Sequence, residues 1–252
     1  MSEQTTVPDR TAARAAQLET FRSTLNAREK HLLEAERRIA AENLSAHDHP
    51  PRVLEAAASA MSSSEELRRF HLEVLQPAAQ IACHEGCHWC CHLKVSVTAP
   101  EVFAVAEYLE NSAPETVREG VKARAAELAQ DARIFSADAK AEAHIPCALL
   151  TERGACAVYA VRPIACRGWN ALDSESCRRS LDDDREFVAS NEQWARESAA
   201  LGLGLLAAVG DAGLPAELLE LTSGLHIALS EPNALSRWLA GEPIFAAAFA
   251  DR

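Results

Sequence analysis

Several things are missing from this sequence, and each absence removes a class of function. No apolar run is long enough to cross a bilayer: the most apolar stretch, AALGLGLLAAVG at 199–210, falls well short of a span. The first thirty residues hold no apolar core of the kind found in a secretory leader. Basic residues are in deficit, 25 against 37 acidic ones, and the net charge of -12 repels phosphate backbones and anionic lipid surfaces. No local basic patch overrides that total, so neither a nucleic acid nor a membrane is expected as a partner, and the chain reads as cytoplasmic. Glycine-rich phosphate loops, GxSxG and HExxH are absent, which leaves nucleotide hydrolysis, α/β-hydrolase chemistry and zincin proteolysis without support. Strand-helix alternation and internal repeats are absent too. Cysteine itself is missing from residues 1–82 and 178–252.

What is present stands out against that background. All eight cysteines fall between Cys83 and Cys177, and four of them, with three of the nine histidines, lie in the segment CHEGCHWCCH at 83–92. A chain of 252 residues can bury a core without help, so a bound metal would be more than a staple. In a reducing compartment thiols stay free, and this density points to metal or redox chemistry rather than to disulfides.

The flanks read as helix. Leu18, Leu25, Leu32 and Ile39 recur every seven residues beside Phe21 and Ala35, which predicts an amphipathic helix over about 10–45 with one apolar seam. That seam packs on the body of the chain or, through a dimeric coiled coil, on a protein partner. His47 to Pro51 breaks the helix, and a second should run through ELRRFHLEVL at 66–75. Thr98 and Glu101 of TAPE form a capping box for a helix through Val102, Phe103, Ala106 and Leu109. Another follows Pro114, Asn191 caps one through 199–208, and Pro215 starts one through Leu218, Leu219 and Leu221 to Leu225. β-prone runs occur only at 95–97 and around Val158–Tyr159. The expected fold is mainly α, with an N-terminal helical extension (1–80), a cysteine-rich, metal-ordered central region of irregular loops and short helices (81–180) and a C-terminal helical segment (181–252).

Within the central region Cys83, Cys87 and Cys90 are spaced CxxxCxxC, and Cys91 follows directly. Such short spacings let sulfurs converge on one ion at little loop-closure cost. Adjacent cysteines diverge by about 100° in a helix and by more in a strand, so Cys90 and Cys91 suggest two nearby metals, or one ligand and one supporting thiol. Cys147, Cys156, Cys166 and Cys177 are nine, ten and eleven residues apart and belong at the ends of short elements. Gly154 permits a turn before Cys156, Val158–Arg162 can form a short helix, and Pro163 ends it before Cys166. Four plus four thiolates supply two closed four-coordinate sites, or one iron-sulfur cluster with spare ligands. Arg162 and Arg167 are placed to offset the negative charge that results.

The pattern CxxxCxxCC, then VxVTxxE, then CxLL…GxCxVYxxRPxxCRG…C resembles the YkgJ-type cysteine-cluster proteins, a zinc- or iron-chelating family often labelled as iron-sulfur-containing. The resemblance covers Cys83 to Cys177. It implies metal ligation by Cys83, Cys87, Cys90, Cys91, Cys147, Cys156, Cys166 and Cys177, with an iron-sulfur cluster of the [4Fe-4S] kind or Zn²⁺ as cofactor and Glu101, Tyr159, Arg162 and Arg167 beside it. Flagellin lysine methylases carry a similar cluster domain and use S-adenosylmethionine, which adds an enzymatic alternative; a zinc-stabilised interaction module is another.

His84, His88 and His92 would align only if their segment were helical, and the cysteines already suffice as ligands. Glu101 has a structural role in the capping box. Trp89, Trp169 and Tyr159 are expected to wall the site from solvent; His144 and Asp173 are weaker candidates. CxxxCxxC is also the spacing of radical S-adenosylmethionine enzymes, but these use a β/α barrel that this sequence does not suggest.

Overall fold

The computed structural model describes residues 19–20, 22–45, 50–75, 81–134, 143–183 and 185–248. Among them are nine α-helices and one small two-stranded sheet, so the fold is mainly α.

Helix α1 (Ala27–Leu44) begins where the Asn26 side chain accepts from the Glu29 N–H while the Glu29 carboxylate accepts from the Asn26 N–H. The helix expected over about 10–45 is broken at Thr24–Asn26, between helical residues at 19–20 and 22–23 and this capped start; residues 10–18 and Phe21 lie outside the described residues. The expected seam holds at Leu25 and in part at Leu32 but not at Ile39. Glu29, Leu33, Glu36, Ala40 and Leu44 form the buried face, whereas Ile39 is exposed. The reason is the crossing with α7 (Glu192–Asp211): at Gly204 a Cβ would lie 2.5 Å from the Leu33 carbonyl oxygen, so the two backbones approach more closely than larger side chains permit. The face of α1 thus packs on its own chain.

Carboxylates on a buried face need partners. Glu29 receives Arg196 at 2.7 Å. On α7, Glu197 receives Arg28 at 2.6 Å, Gln193 at 2.7 Å and His71 at 2.9 Å. Glu36 is different. Both its oxygens are buried without a hydrogen-bond partner, and Ser63, its nearest help, donates to the Ser59 carbonyl. Burial raises the Glu36 pKa, Ser63 opposing only in part. Such a carboxyl stays protonated in the fold at pH values where the unfolded chain ionises, so its contribution worsens as pH rises above the ordinary glutamate range. Glu36→Met is expected to raise the unfolding free energy by about 1–3 kcal/mol near pH 8, and by less near pH 5, in parallel denaturant titrations.

Helix α2 (Pro50–Phe70) opens on proline, whose fixed φ suits a first turn, and ends in a π-helical turn at His71–Leu75. It therefore begins well before the stretch at 66–75 in which helix was expected. Helix α3 (Ala99–Asn111) buries Val102, Phe103, Ala106 and Leu109 as expected, and α4 (Glu115–Ile134) follows Pro114. The short helices α5 (Ile164–Gly168) and α6 (Ser174–Asp182) belong to the cysteine-rich region. Asn191 caps α7 by accepting from Trp194 N–H. Helices α8 (Leu221–Ser230) and α9 (Ala234–Leu239) are the last two among the described residues.

One expected helix start is corrected. Leu218–Glu220 is strand β2, antiparallel to β1 (Ser96–Thr98), with Val97 opposite Leu219. Backbone pairing with the segment just after the cysteines outweighs the helical pattern there, and Glu220 then caps α8 by accepting from Ser223 N–H. A single hydrophobic cluster runs from Ala40 and Val53 through Val95, Cys147 and Ile164 to Leu205, Leu225 and Trp238, so the cysteine-rich region is built onto the same core as its flanks.

Candidate metal centre

The cysteine segment is a loop held at defined points. Ala82 N–H donates to the Ala171 carbonyl at 2.8 Å, fixing where the loop begins. Cys87 N–H reaches back to the His84 carbonyl across Gly86, whose φ of +93° favours glycine. A 3₁₀ turn, Trp89–His92, then carries Cys90 and Cys91. Because the segment is not α-helical, the three histidines do not form a helical row. His84 bonds the Ala82 carbonyl, His92 bonds the His144 carbonyl, and the His88 ring lies 4.4 Å from that of Trp89.

The second half docks onto the first. Cys147 N–H donates to the Cys91 carbonyl at 2.7 Å. Gly154, at φ +72°, makes the expected turn before Cys156; a Cβ there would meet the His88 ring at 3.2 Å. Tyr159–Val161 is a 3₁₀ turn, and Pro163 precedes α5, which carries Cys166. Asp173 caps α6 by accepting from Glu175 and Ser176 N–H, and Cys177 sits near the start of that helix. Its carboxylate serves the backbone.

All eight cysteines are free thiols. Their environments reveal which lie near which, because each thiolate feels the charge of its neighbours. Burial pushes Cys83, Cys87 and Cys156 up, and Cys166 furthest, with Cys147, Cys90 and Cys156 adding to the effect on Cys166. Cys177 is pushed up to about 11, by burial and then by Cys83, Cys87 and Cys90. Cys90 and Cys91 share a hydrogen bond that favours the Cys90 thiolate, lowering its pKa, and raises that of Cys91. Thiols distant in sequence therefore lie within electrostatic reach of one another: Cys83 and Cys87 of Cys177, Cys147 and Cys156 of Cys166, and Cys90 of both.

Arg162 is a cation near several of them. Its positive charge favours the thiolates of Cys83, Cys90, Cys156 and Cys166, its guanidinium lies 4.0 Å from the Tyr159 ring centre, and its Nε is buried without a hydrogen-bond partner. Arg167 works mainly on the backbone, donating to the Arg162 and Ala160 carbonyls and to Glu65, although its charge also favours the Cys156 thiolate. Glu101 is buried and fully engaged: one oxygen accepts from Thr98 N–H and Oγ1, the other from Ile164 N–H at 2.8 Å. It thus joins the start of α3 to the start of α5.

A cavity of about 600 Å³ opens beside Cys83, Cys87, Cys90 and Cys177, walled by Trp89 and Trp169. A second, of about 440 Å³, lies across Trp169 and is lined by Glu101 and Ser198. Sequence reasoning missed the support behind the site. Asn170 donates to the Gly168 and Asn191 carbonyls and accepts from Asn191 N–H, while the Asn191 side chain reaches the His71 ring at 3.4 Å. This polar chain runs from the Cys166 helix to Glu197; the only trace of it in the sequence is a pair of asparagines flanking an otherwise unremarkable stretch.

The donor set fits zinc or iron in kind: many desolvated thiols, few competing oxygens and a counter-cation among them. Among the described residues no group of three or more His, Cys, Asp or Glu side chains stands ready-arranged to hold a metal ion, so ligation requires the thiols to draw together.

Fold and site together define a mainly helical protein with a thiol-lined centre in its middle third. Residues 82–193 match the CxxCxxCC family, described as "Putative zinc- or iron-chelating domain", which supports metal binding in general terms. No curated protein and no solved structure matches the chain. Among the described residues no helix is long and apolar enough to cross a membrane.

Proposed function

We propose that this protein chelates an iron-sulfur cluster or zinc through Cys83, Cys87, Cys90, Cys91, Cys147, Cys156, Cys166 and Cys177, in a reducing, cytoplasmic setting. The observation that carries this reading is the set of eight free thiols, four of which (Cys83, Cys87, Cys90 and Cys177) line one cavity, with the Arg162 charge acting on Cys83, Cys90, Cys156 and Cys166. Zinc would supply cross-linking of the loops; an iron-sulfur cluster would add electron transfer. The chain's own residues prepare the place. Arg162 offsets thiolate charge, Glu101 and Asn170 hold α5 and hence Cys166, and Trp89 and Trp169 limit water.

Because the ligands come from distant segments, metal affinity becomes folding free energy of the centre. Protein purified without oxygen should carry zinc, or iron with sulfide and a visible absorption band. Chelation should make residues 82–193 sensitive to protease while the outer helices resist. Metal-free protein of equal resistance would sink the proposal.

The cavity beside Cys83 and Cys177 favours a second reading, a cluster-dependent enzyme such as a protein methylase. Titration of fully loaded protein with S-adenosylmethionine tests it, and absence of binding removes that version.

A further inference from the structure

The eight thiols divide by surroundings. Cys83, Cys87, Cys90 and Cys177 line the 600 Å³ cavity; Cys91, Cys147, Cys156 and Cys166 do not. Cys147 is buried in the hydrophobic core, with Cys91, Cys156 and Cys166 packed against the same core, whereas Cys83 is exposed. Cys83 and Cys87 lie near Cys177, Cys147 and Cys156 lie near Cys91 and Cys166, and Cys90 lies near members of both groups.

The backbone agrees. The inner group is joined by the bond from Cys147 N–H to the Cys91 carbonyl and by the Leu150–Cys156 bridge. The outer group is joined by the bond from Ala82 N–H to the Ala171 carbonyl and by the packing of α6 on the Trp89–His92 turn. Cys90 is the joint: it lines the cavity and also shares a hydrogen bond with Cys91.

Resting on the chelation reading above, we infer that the thiols form two sites of different character. The inner one, Cys91, Cys147, Cys156 and Cys166, is closed and holds its metal as part of the core. The outer one, Cys83, Cys87, Cys90 and Cys177, faces a cavity and takes an exchangeable soft divalent cation. The difference is one of access. Release from a thiolate site is speeded by an incoming ligand that attacks the metal, and the cavity admits such a ligand to the outer site only. The inner metal leaves only when the core around Cys147 opens.

The test uses the full-length chain loaded with zinc and mixed with a chromophoric chelator, with alkylation by iodoacetamide mapped by mass spectrometry during release. Two zinc equivalents are expected, the first leaving roughly tenfold faster or more, since the second waits on core opening. After the first phase Cys83, Cys87 and Cys177 should alkylate while Cys91, Cys147, Cys156 and Cys166 stay protected. Cys177→Ser should remove the fast equivalent and keep the slow one. A single phase in which all eight thiols become reactive together, or one metal centre lost as a unit, overturns the two-site inference while chelation itself stands. Binding of neither zinc nor iron overturns both.

Discussion

Glu197→Ala is expected to lower the unfolding free energy by about 3–5 kcal/mol, the range seen when one member of a buried charged network is removed. The carboxylate is fully buried and accepts from His71, Arg28 and Gln193. Burial by itself would raise the Glu197 pKa, but the bonds from Arg28, Gln193 and His71 together outweigh it and hold the group below its ordinary value. The stabilisation is therefore present above the ordinary glutamate range and is lost as pH falls through the depressed pKa. Removing the side chain strands the ring N–H of His71, itself fully buried. Arg28 is partly exposed and can turn to water, so Arg28→Ala should cost less. Urea denaturation at neutral and acid pH measures both variants; a gap between wild type and Glu197→Ala that did not shrink on acidification would contradict the account.

Glu101→Ala should cost about 3 kcal/mol or more, since hydrogen bonds to a charged or desolvated carboxyl are worth more than neutral ones and two backbone donors are left bare. Those donors are the N–H groups of Thr98 and Ile164, which open α3 and α5. Burial raises the Glu101 pKa, with the bonds from Thr98 and Ile164 opposing, so wild-type stability from this group declines as pH climbs above the ordinary range. The loss in the variant is thus largest at low pH, opposite in trend to Glu197→Ala. Because α5 carries Cys166, metal content should fall together with stability. A variant that kept both would show that α5 needs no such anchor.

How much of this was legible in the residues depends on the range of the interaction. Caps are local, and Thr98, Glu101, Asn191 and Gly154 act where their neighbours in sequence predict. The cysteine segment stood out for the same reason: its spacing is short, and residues 82–193 match the zinc- or iron-chelating family that the spacing resembles. Interactions between distant segments were not. The buried face of α1 contains Glu29 and Glu36 where apolar periodicity asks for leucine, because Arg196, 167 residues away, satisfies the first of them. Leu218–Glu220 reads as helix until its partner strand is known. The chain of Asn170, Asn191, His71 and Glu197 leaves no periodic trace, since each member is placed by a different element.

The Trp169 indole borders both cavities and is itself half exposed. It serves as a partition between two rooms. Trimmed to alanine, it would merge spaces of about 600 and 440 Å³ into one corridor from the thiols to the Glu101 carboxyl. Its bulk, beside Ala195, which also lines both spaces, thus limits how far a visiting molecule reaches from the sulfur side.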